Sequence, residues 1–90
     1  MTWSADRRLD YIDWRLATHG EVSRPDIART FNVSLSIATQ DLAAYDREYP
    51  GKIEYDTVRR RYLPAKGSHR PARAIARAII AGDPNPLAWS

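Results

Sequence analysis

The sequence predicts a mainly α-helical domain carrying one small β-hairpin. Two observations give that class. Apolar residues recur at spacings of three and four through the first 49 residues, the period of a helix, and after Pro50-Gly51 the period drops to two, the period of a strand. The length of 90 residues then confines both patterns to one domain with a small core.

The first helix is expected over residues 5–19. Ser4 is its candidate N-cap, Asp6 places a negative charge in its first turn, and Gly20 is the left-handed stop after His19. Ala5, Leu9, Ile12 and Leu16 form its apolar stripe, and Tyr11 and Trp14 widen the buried face. Glu21-Val22 is an extended link. Ser23 and Asp26 have capping-box spacing, and Pro25 sits early enough in the next helix, 24–31, for its missing N–H to do no harm. Ile27, Ala28 and Phe31 supply the inward face of that helix. Asn32-Val33 makes a tight turn, Ser34 caps again, and a third helix runs over 35–49 until Pro50-Gly51 stops it. Ala38, Leu42 and Tyr45 point inward with Tyr49 at the end, while Ser36, Thr39, Gln40 and Ala43 make a polar or small face.

Strands are expected at 52–56 and 60–63, joined through Thr57-Val58-Arg59, with arginines at and beside the tip. Leu63 is expected to join Leu9, Ile12, Leu16, Ile27, Phe31, Leu42 and Tyr45 in one core. The chain therefore divides into a main unit, 1–64, a basic linker, 65–70, that includes His69, and a C-terminal helix and tail, 71–90. Pro71 opens the fourth helix, expected over 71–81, and Gly82 to Pro86 ends it. Three roles are open to it. Ile75, Ile79 and Ile80 pack on the first helix, or they pair with a second copy, or Arg70, Arg73 and Arg77 extend a footprint on nucleic acid.

Net charge is +3, and its distribution says more than its size. Residues 1–49 hold six Arg/Lys against eight Asp/Glu, a balance of −2, whereas residues 50–90 hold eight against three, a balance of +5. Twelve of the 14 basic residues are arginine, the side chain suited to bidentate contact with phosphate and guanine. The absence of cysteine removes disulfides, thiolate nucleophiles and the common structural zinc sites. No apolar run is long enough for a membrane span or a signal peptide, so a cytoplasmic location is expected. No activated nucleophile, Gly-rich phosphate loop or metal-ligand spacing occurs, so no enzyme activity, cofactor or metal is expected. Asp10, Asp13, Asp46 and Glu48 read as solvated faces, Asp41 as a structural partner of backbone or arginine, and Trp3, Trp14 and Trp89 as packing residues.

Helix, short extended link, two-turn helix, tight turn, longer helix and hairpin is the order of a winged helix-turn-helix: three helices plus wing, here with a fourth helix. A short helix propped across a tight turn presents the N-terminal half of the next helix to the major groove, and a basic wing reaches backbone or minor groove beside it. The candidate DNA-contacting residues are Ser34, Ser36, Ile37, Thr39 and Gln40 on the third helix, Arg24 on the second, and Lys52, Arg59, Arg60 and Arg61 on the hairpin. Gln40 is the best base reader, because its amide pairs with adenine N6 and N7. Strand alternation should turn one of the three consecutive arginines away from DNA.

The run Ser34-Leu35-Ser36-Ile37-Ala38-Thr39-Gln40-Asp41-Leu42 resembles the recognition helix of DeoR-type winged-helix repressors. A longer set runs from Val22-Ser23-Arg24-Pro25-Asp26-Ile27 through Phe31-Asn32-Val33-Ser34, Asp41-Leu42-Ala43-Ala44-Tyr45 and Pro50-Gly51 to Ile53-Glu54-Tyr55-Asp56 and Arg61-Tyr62-Leu63. It is similar to the N-terminal DNA-binding region of WYL-domain transcription regulators. DeoR-type helices usually carry arginines where Thr39 and Gln40 stand, so their base contacts do not transfer. The WYL regulators continue into a ligand-sensing domain, so this sequence reads as an excised DNA-binding module or a small stand-alone relative. The resemblance implies sequence-specific binding of double-stranded DNA by a transcription regulator. A homodimer on DNA is expected, because one recognition helix reads too few base pairs to select a site. The alternative is a winged helix used for protein–protein contact, its basic hairpin meeting an acidic partner.

Overall fold

The computed structural model describes residues 2–82, with side chains from residue 5 onward. The expectations for Trp3 and for the tail with Trp89 lie outside the described residues. Helix α1 spans Thr2–Thr18, α2 Arg24–Phe31, α3 Leu35–Glu48 and α4 Ala74–Ile80, and strands β1, Ile53–Asp56, and β2, Arg61–Pro64, lie between α3 and α4.

Local chemistry sets most of the boundaries. At the end of α1 the N–H groups of His19 and Gly20 both donate to Arg15 O, at 2.8 and 3.1 Å, and Gly20 takes φ +71°, where a side chain would be strained. The capping box before α2 closes in both directions: Asp26 N–H donates to Ser23 Oγ at 3.2 Å, and Ser23 N–H donates to Asp26 Oδ2 at 3.0 Å. Ser23→Ala is expected to cost about 0.5–2 kcal/mol of stability, checked by urea unfolding. Asn32 then adopts φ 55°, ending α2, and Ser34 Oγ accepts from Ile37 N–H at 3.1 Å to start α3. Helix α1 begins upstream of Ser4, so Ser4 is not its cap. Nothing before it, neither glycine nor proline, stops the helix from running back to Thr2.

The core gathers Leu9, Ile12 and Leu16 from α1, Val22 from the link, Ile27 from α2, and Ala38, Leu42 and Tyr45 from α3. Ala5 is exposed, so the stripe of α1 starts at Leu9. Phe31 is half-buried against the cluster rather than inside it. Leu63 is half-buried and does not join it. Tyr62 takes that place, because Val22 forms an antiparallel bridge with Tyr62 through N–H···O bonds of 3.0 and 2.8 Å, and alternation turns its neighbour to the other face.

The hairpin register pairs Ile53 with Pro64 and Asp56 with Arg61, one residue off the expected strands. Lys52 precedes β1, and Arg60 belongs to the turn. The reason lies in Asp56: its Oδ1 accepts from the N–H groups of Val58 and Arg59, at 3.0 and 3.1 Å, and its carbonyl accepts from Arg60 N–H at 2.8 Å. A four-residue tip results, closed by Arg60 at φ 57°.

Helix α4 packs on α1 and buries Ala76 completely, the first of its three open roles. It starts at Ala74, three residues after Pro71, because the N–H groups of Ala72 and Arg73 donate to the Asp13 carboxylate at 3.1 and 2.8 Å instead of waiting for a helical turn. Asp10 and Asp13 are therefore buried, not solvated. Asp10 accepts from Arg73 Nε at 2.5 Å, and Asp13 from Tyr45 Oη at 2.5 Å and His69 Nε2 at 2.7 Å. His69, expected as part of a basic linker, has its ring enclosed beside Asp13. Burial pushes the Asp13 carboxyl up, but the bonds from His69, Tyr45 and the two backbone N–H groups outweigh it and hold it below its ordinary value. Asp46 and Glu48 are exposed as expected.

Candidate nucleic-acid interface

Helix α3 is two-faced. Ala38, Asp41, Leu42 and Tyr45 are buried, while Leu35, Ser36, Thr39, Gln40 and Ala43 are exposed and Ile37 lies at the boundary. Thr39 Oγ1 donates to Leu35 O at 2.9 Å, which commits its proton to its own helix. The Gln40 side chain makes no hydrogen bond among the described residues, so both ends of its amide are open. Asp41 has the structural role expected of it: Arg8 Nε donates to its Oδ2 at 2.5 Å, fastening α3 to α1. Burial still pushes that carboxyl above its ordinary value in spite of the arginine.

Beside the N-terminus of α3 lies a cleft of about 400 Å³, bounded by the start of α2, by Leu35 and by the hairpin tip. Five arginines line it: Arg24, Arg29, Arg59, Arg60 and Arg61. Their charges are not equivalent. Arg61 Nη1 sits 2.8 Å from Glu21 and 3.7 Å from Asp26, so it is neutralised within the fold. Of the three consecutive arginines only Arg61 lies in a strand, and it differs from the other two by its carboxylate partners. Arg29 pairs with Asp26 at 2.9 Å yet remains 73% exposed. Arg24, Arg59 and Arg60 have no carboxylate partner among the described residues, and Arg59 and Arg60 are exposed. The capping carboxylate of Asp26 is thus also an electrostatic hub, reached by Arg15 at 3.3 Å as well. Burial pushes it up, but the Ser23 hydrogen bonds and the charges of Arg15 and Arg61 outweigh that and keep it low.

The structure brings Arg24, Arg59 and Arg60 into one cleft with Leu35, the first residue of α3. Ser34, Ser36 and Gln40 are exposed at and along the N-terminal half of that helix, whereas Thr39 lines a separate cleft with Ile53, Tyr55 and Tyr62 of the hairpin. Lys52 lines neither cleft. It sits at the base of the hairpin, in a separate cleft with Lys66 and Arg70. Two exposed apolar residues escaped the sequence reading, Leu35 at 55% exposure on α3 and Val58 at 90% in the hairpin turn. Among the described residues no group of three potential ligands could hold a metal, and no helix is long and apolar enough to cross a membrane.

A two-turn helix, a recognition helix with an exposed polar N-terminal half, and a basic hairpin anchored by Val22 define a winged helix-turn-helix domain. The comparison with known sequences is more particular. The chain belongs to the family of the BrxR transcriptional regulator winged helix-turn-helix domain, whose model matches residues 4–71. This bears out the likeness to the DNA-binding region of WYL regulators. It is similar to the DNA-binding transcriptional repressor CapW of Escherichia coli strain KTE188, at 36% identity over 64 residues, covering 71% of this chain and 21% of the relative. CapW of Pseudomonas aeruginosa is 35% identical over 79 residues, covering 86% and 26%, and that of Stenotrophomonas maltophilia 38% identical over 61, covering 68% and 20%. The chain spans about a fifth to a quarter of the length of these relatives.

Proposed function

We propose that this chain binds double-stranded DNA in a sequence-specific manner as the DNA-binding domain of a transcription regulator; its relatives are named DNA-binding transcriptional repressors. Helix α3 enters the major groove, with Gln40 reading a base and Ser34, Ser36, Ile37 and Thr39 contacting backbone or base edges. Arg24, Arg59 and Arg60 hold phosphates on either side. The observation that carries this reading is the adjacency of two surfaces: the open polar face of α3 and a cleft in which arginines outnumber carboxylates five to one. A cytoplasmic location accords with that role.

Selection of binding sites from random duplex at near-physiological salt tests it, and recovery of no preferred sequence refutes sequence-specific reading. On the selected site, Gln40→Ala is expected to cost about 1–3 kcal/mol and to change binding to random duplex little. Equal weakening on both would show that Gln40 does not read a base.

Two copies on a dyad supply the length of site that one α3 lacks, reading half-sites about 10–10.5 bp apart or a multiple of that spacing. Packing of α4 on α1 leaves Ile80 exposed beside Ile79, and that edge is the contact we assign to the pair. Sedimentation of the chain with a palindromic site is expected to give two chains per duplex. One chain per full site would exclude the dimer.

A further inference from the structure

The ion pairs of the domain sort its cations into those the fold uses and those it leaves over. Arg7, Arg8, Arg15, Arg29, Arg61 and Arg73 each meet a carboxylate within 4 Å. Lys52, Lys66 and Arg70 meet none among the described residues, are all exposed, and line one cleft of about 320 Å³ at the base of the hairpin. Ser68 adds a hydroxyl to that lining, and no carboxylate contributes to it. We infer that this is a second phosphate-binding cleft, which takes the duplex backbone flanking the half-site read by α3. The inference rests on the proposed DNA binding.

Three points support it. The cleft is built, not a chance meeting of loose side chains. Ala65 N–H donates to Lys52 O at 3.0 Å and Gly67 N–H to Pro64 O at 3.2 Å, while the enclosed His69 ring pins the backbone between Lys66 and Arg70. Like charges held together in this way repel one another, and a polyanion relieves that repulsion. The lining also favours nucleic acid over a protein partner. It offers no aromatic or aliphatic anchor beyond Pro50, whereas protein interfaces concentrate their affinity on such anchors and DNA interfaces are polar and strongly positive.

Position separates this cleft from the arginine cleft. The 14 residues of α3 span about 21 Å, with the arginine cleft beside the N-terminus and this one just past the C-terminus. That separation is several times the spacing of successive charges on one strand, about 3.4 Å, so the two clefts do not hold the same phosphate. The phosphates we assign to the base cleft are those flanking the half-site.

The test compares the 90-residue chain with a Lys52→Ala/Lys66→Ala/Arg70→Ala variant on two duplexes carrying the selected site. One is trimmed to the site itself, and the other is extended by about one helical turn, 10–10.5 bp, on each side. The natural chain is expected to bind the longer duplex more tightly and with a steeper salt dependence. The slope should be greater by up to about 2.7 for three phosphates, which is about a 40-fold share of affinity lost between 50 and 200 mM salt. The variant should lose that gain and keep its affinity for the trimmed site. Equal weakening on both duplexes would put the three cations on the half-site and overturn the inference, and so would no change on either. In the second case, retained binding of an acidic polypeptide by the natural chain alone would reassign the cleft to a protein. Failure of the natural chain to bind any duplex would instead refute the DNA-binding reading itself. Circular dichroism of the variant and a second one, Lys66→Gln/Arg70→Gln, separates loss of binding from loss of fold.

Discussion

Replacing Asp13 by alanine is expected to destabilise the domain by about 3–5 kcal/mol, the cost of removing one partner from a buried charged network. Asp13 is fully enclosed and accepts from Tyr45 Oη, His69 Nε2 and the backbone N–H groups of Ala72 and Arg73. Its loss removes the acceptor of four donors. Tyr45 Oη and His69 Nε2 keep each other at 3.1 Å, but the N–H groups of Ala72 and Arg73 lose their partner, and a single unsatisfied buried donor costs about 1–3 kcal/mol. A domain of this size has about 5–15 kcal/mol in total, so the variant stands close to unfolding at room temperature. Urea or thermal unfolding followed by circular dichroism measures the loss, and a change below about 1 kcal/mol would show that the network does not hold the fold. The same carboxylate gives stability a pH dependence. Its pKa in the folded state lies below the unfolded value, so its contribution is complete above about pH 4 and is lost as pH falls through the folded-state pKa. Asp26 acts in the same direction and window. Asp41, with its pKa raised, opposes them weakly, since its protonation on acidification relieves a buried charge. Asp13→Asn is therefore expected to flatten the acid limb of the stability curve as well as to lower its plateau.

What the sequence made legible was local, and what it hid was long-range. The Ser23–Asp26 box, the Ser34 cap and the Gly20 stop are fixed by residues a few positions apart, and the structure forms each of them. Asp13 is the instructive case on the other side. Positions 9, 12, 13 and 16 are spaced i, i+3, i+4 and i+7, so the stripe that carries Leu9, Ile12 and Leu16 also carries Asp13 inward. A carboxylate at a core position of an amphipathic helix demands buried donors, and that was the available signal. Their identity was not available, since His69, Ala72 and Arg73 lie 56 to 60 residues away. The late start of α4 follows from the same bonds, and so could not be read from Pro71 alone.

At the interface the legible part was residue type and the hidden part was charge pairing. Three arginines in sequence look alike, and alternation says that one turns away without saying what receives it. Glu21 and Asp26 receive Arg61 because the Val22–Tyr62 bridge brings the start of β2 against the start of α2. Lys52 was grouped with the hairpin tip because both belong to one hairpin, but a strand of four residues separates its base from its tip. The basic residues that lie near one another in sequence are thus split between structural, tip and base positions.

That division gives the last expected result. Replacing Arg59 and Arg60 together by alanine should lower the slope of log affinity against log salt by about 1.8, at about 0.9 for each lost phosphate contact. Binding at 50 mM salt should fall on selected and random duplex alike, because phosphate contacts carry no sequence information. Arg61→Ala should behave differently. Its guanidinium is already paired with Glu21 and Asp26, so the slope should stay nearly unchanged while the domain loses stability and the wing loses its fastening to α2. Arg60 allows a sharper separation. It holds φ 57°, a backbone that costs a non-glycine residue about 1–2 kcal/mol, and glycine adopts it freely. Arg60→Gly should therefore keep or raise thermal stability and still reduce the salt slope by about one unit. A gain in stability with no change in slope would mean that the tip does not touch phosphate. The wing would then act only by bracing α3, and the affinity lost in the double variant would have to come from the helix alone.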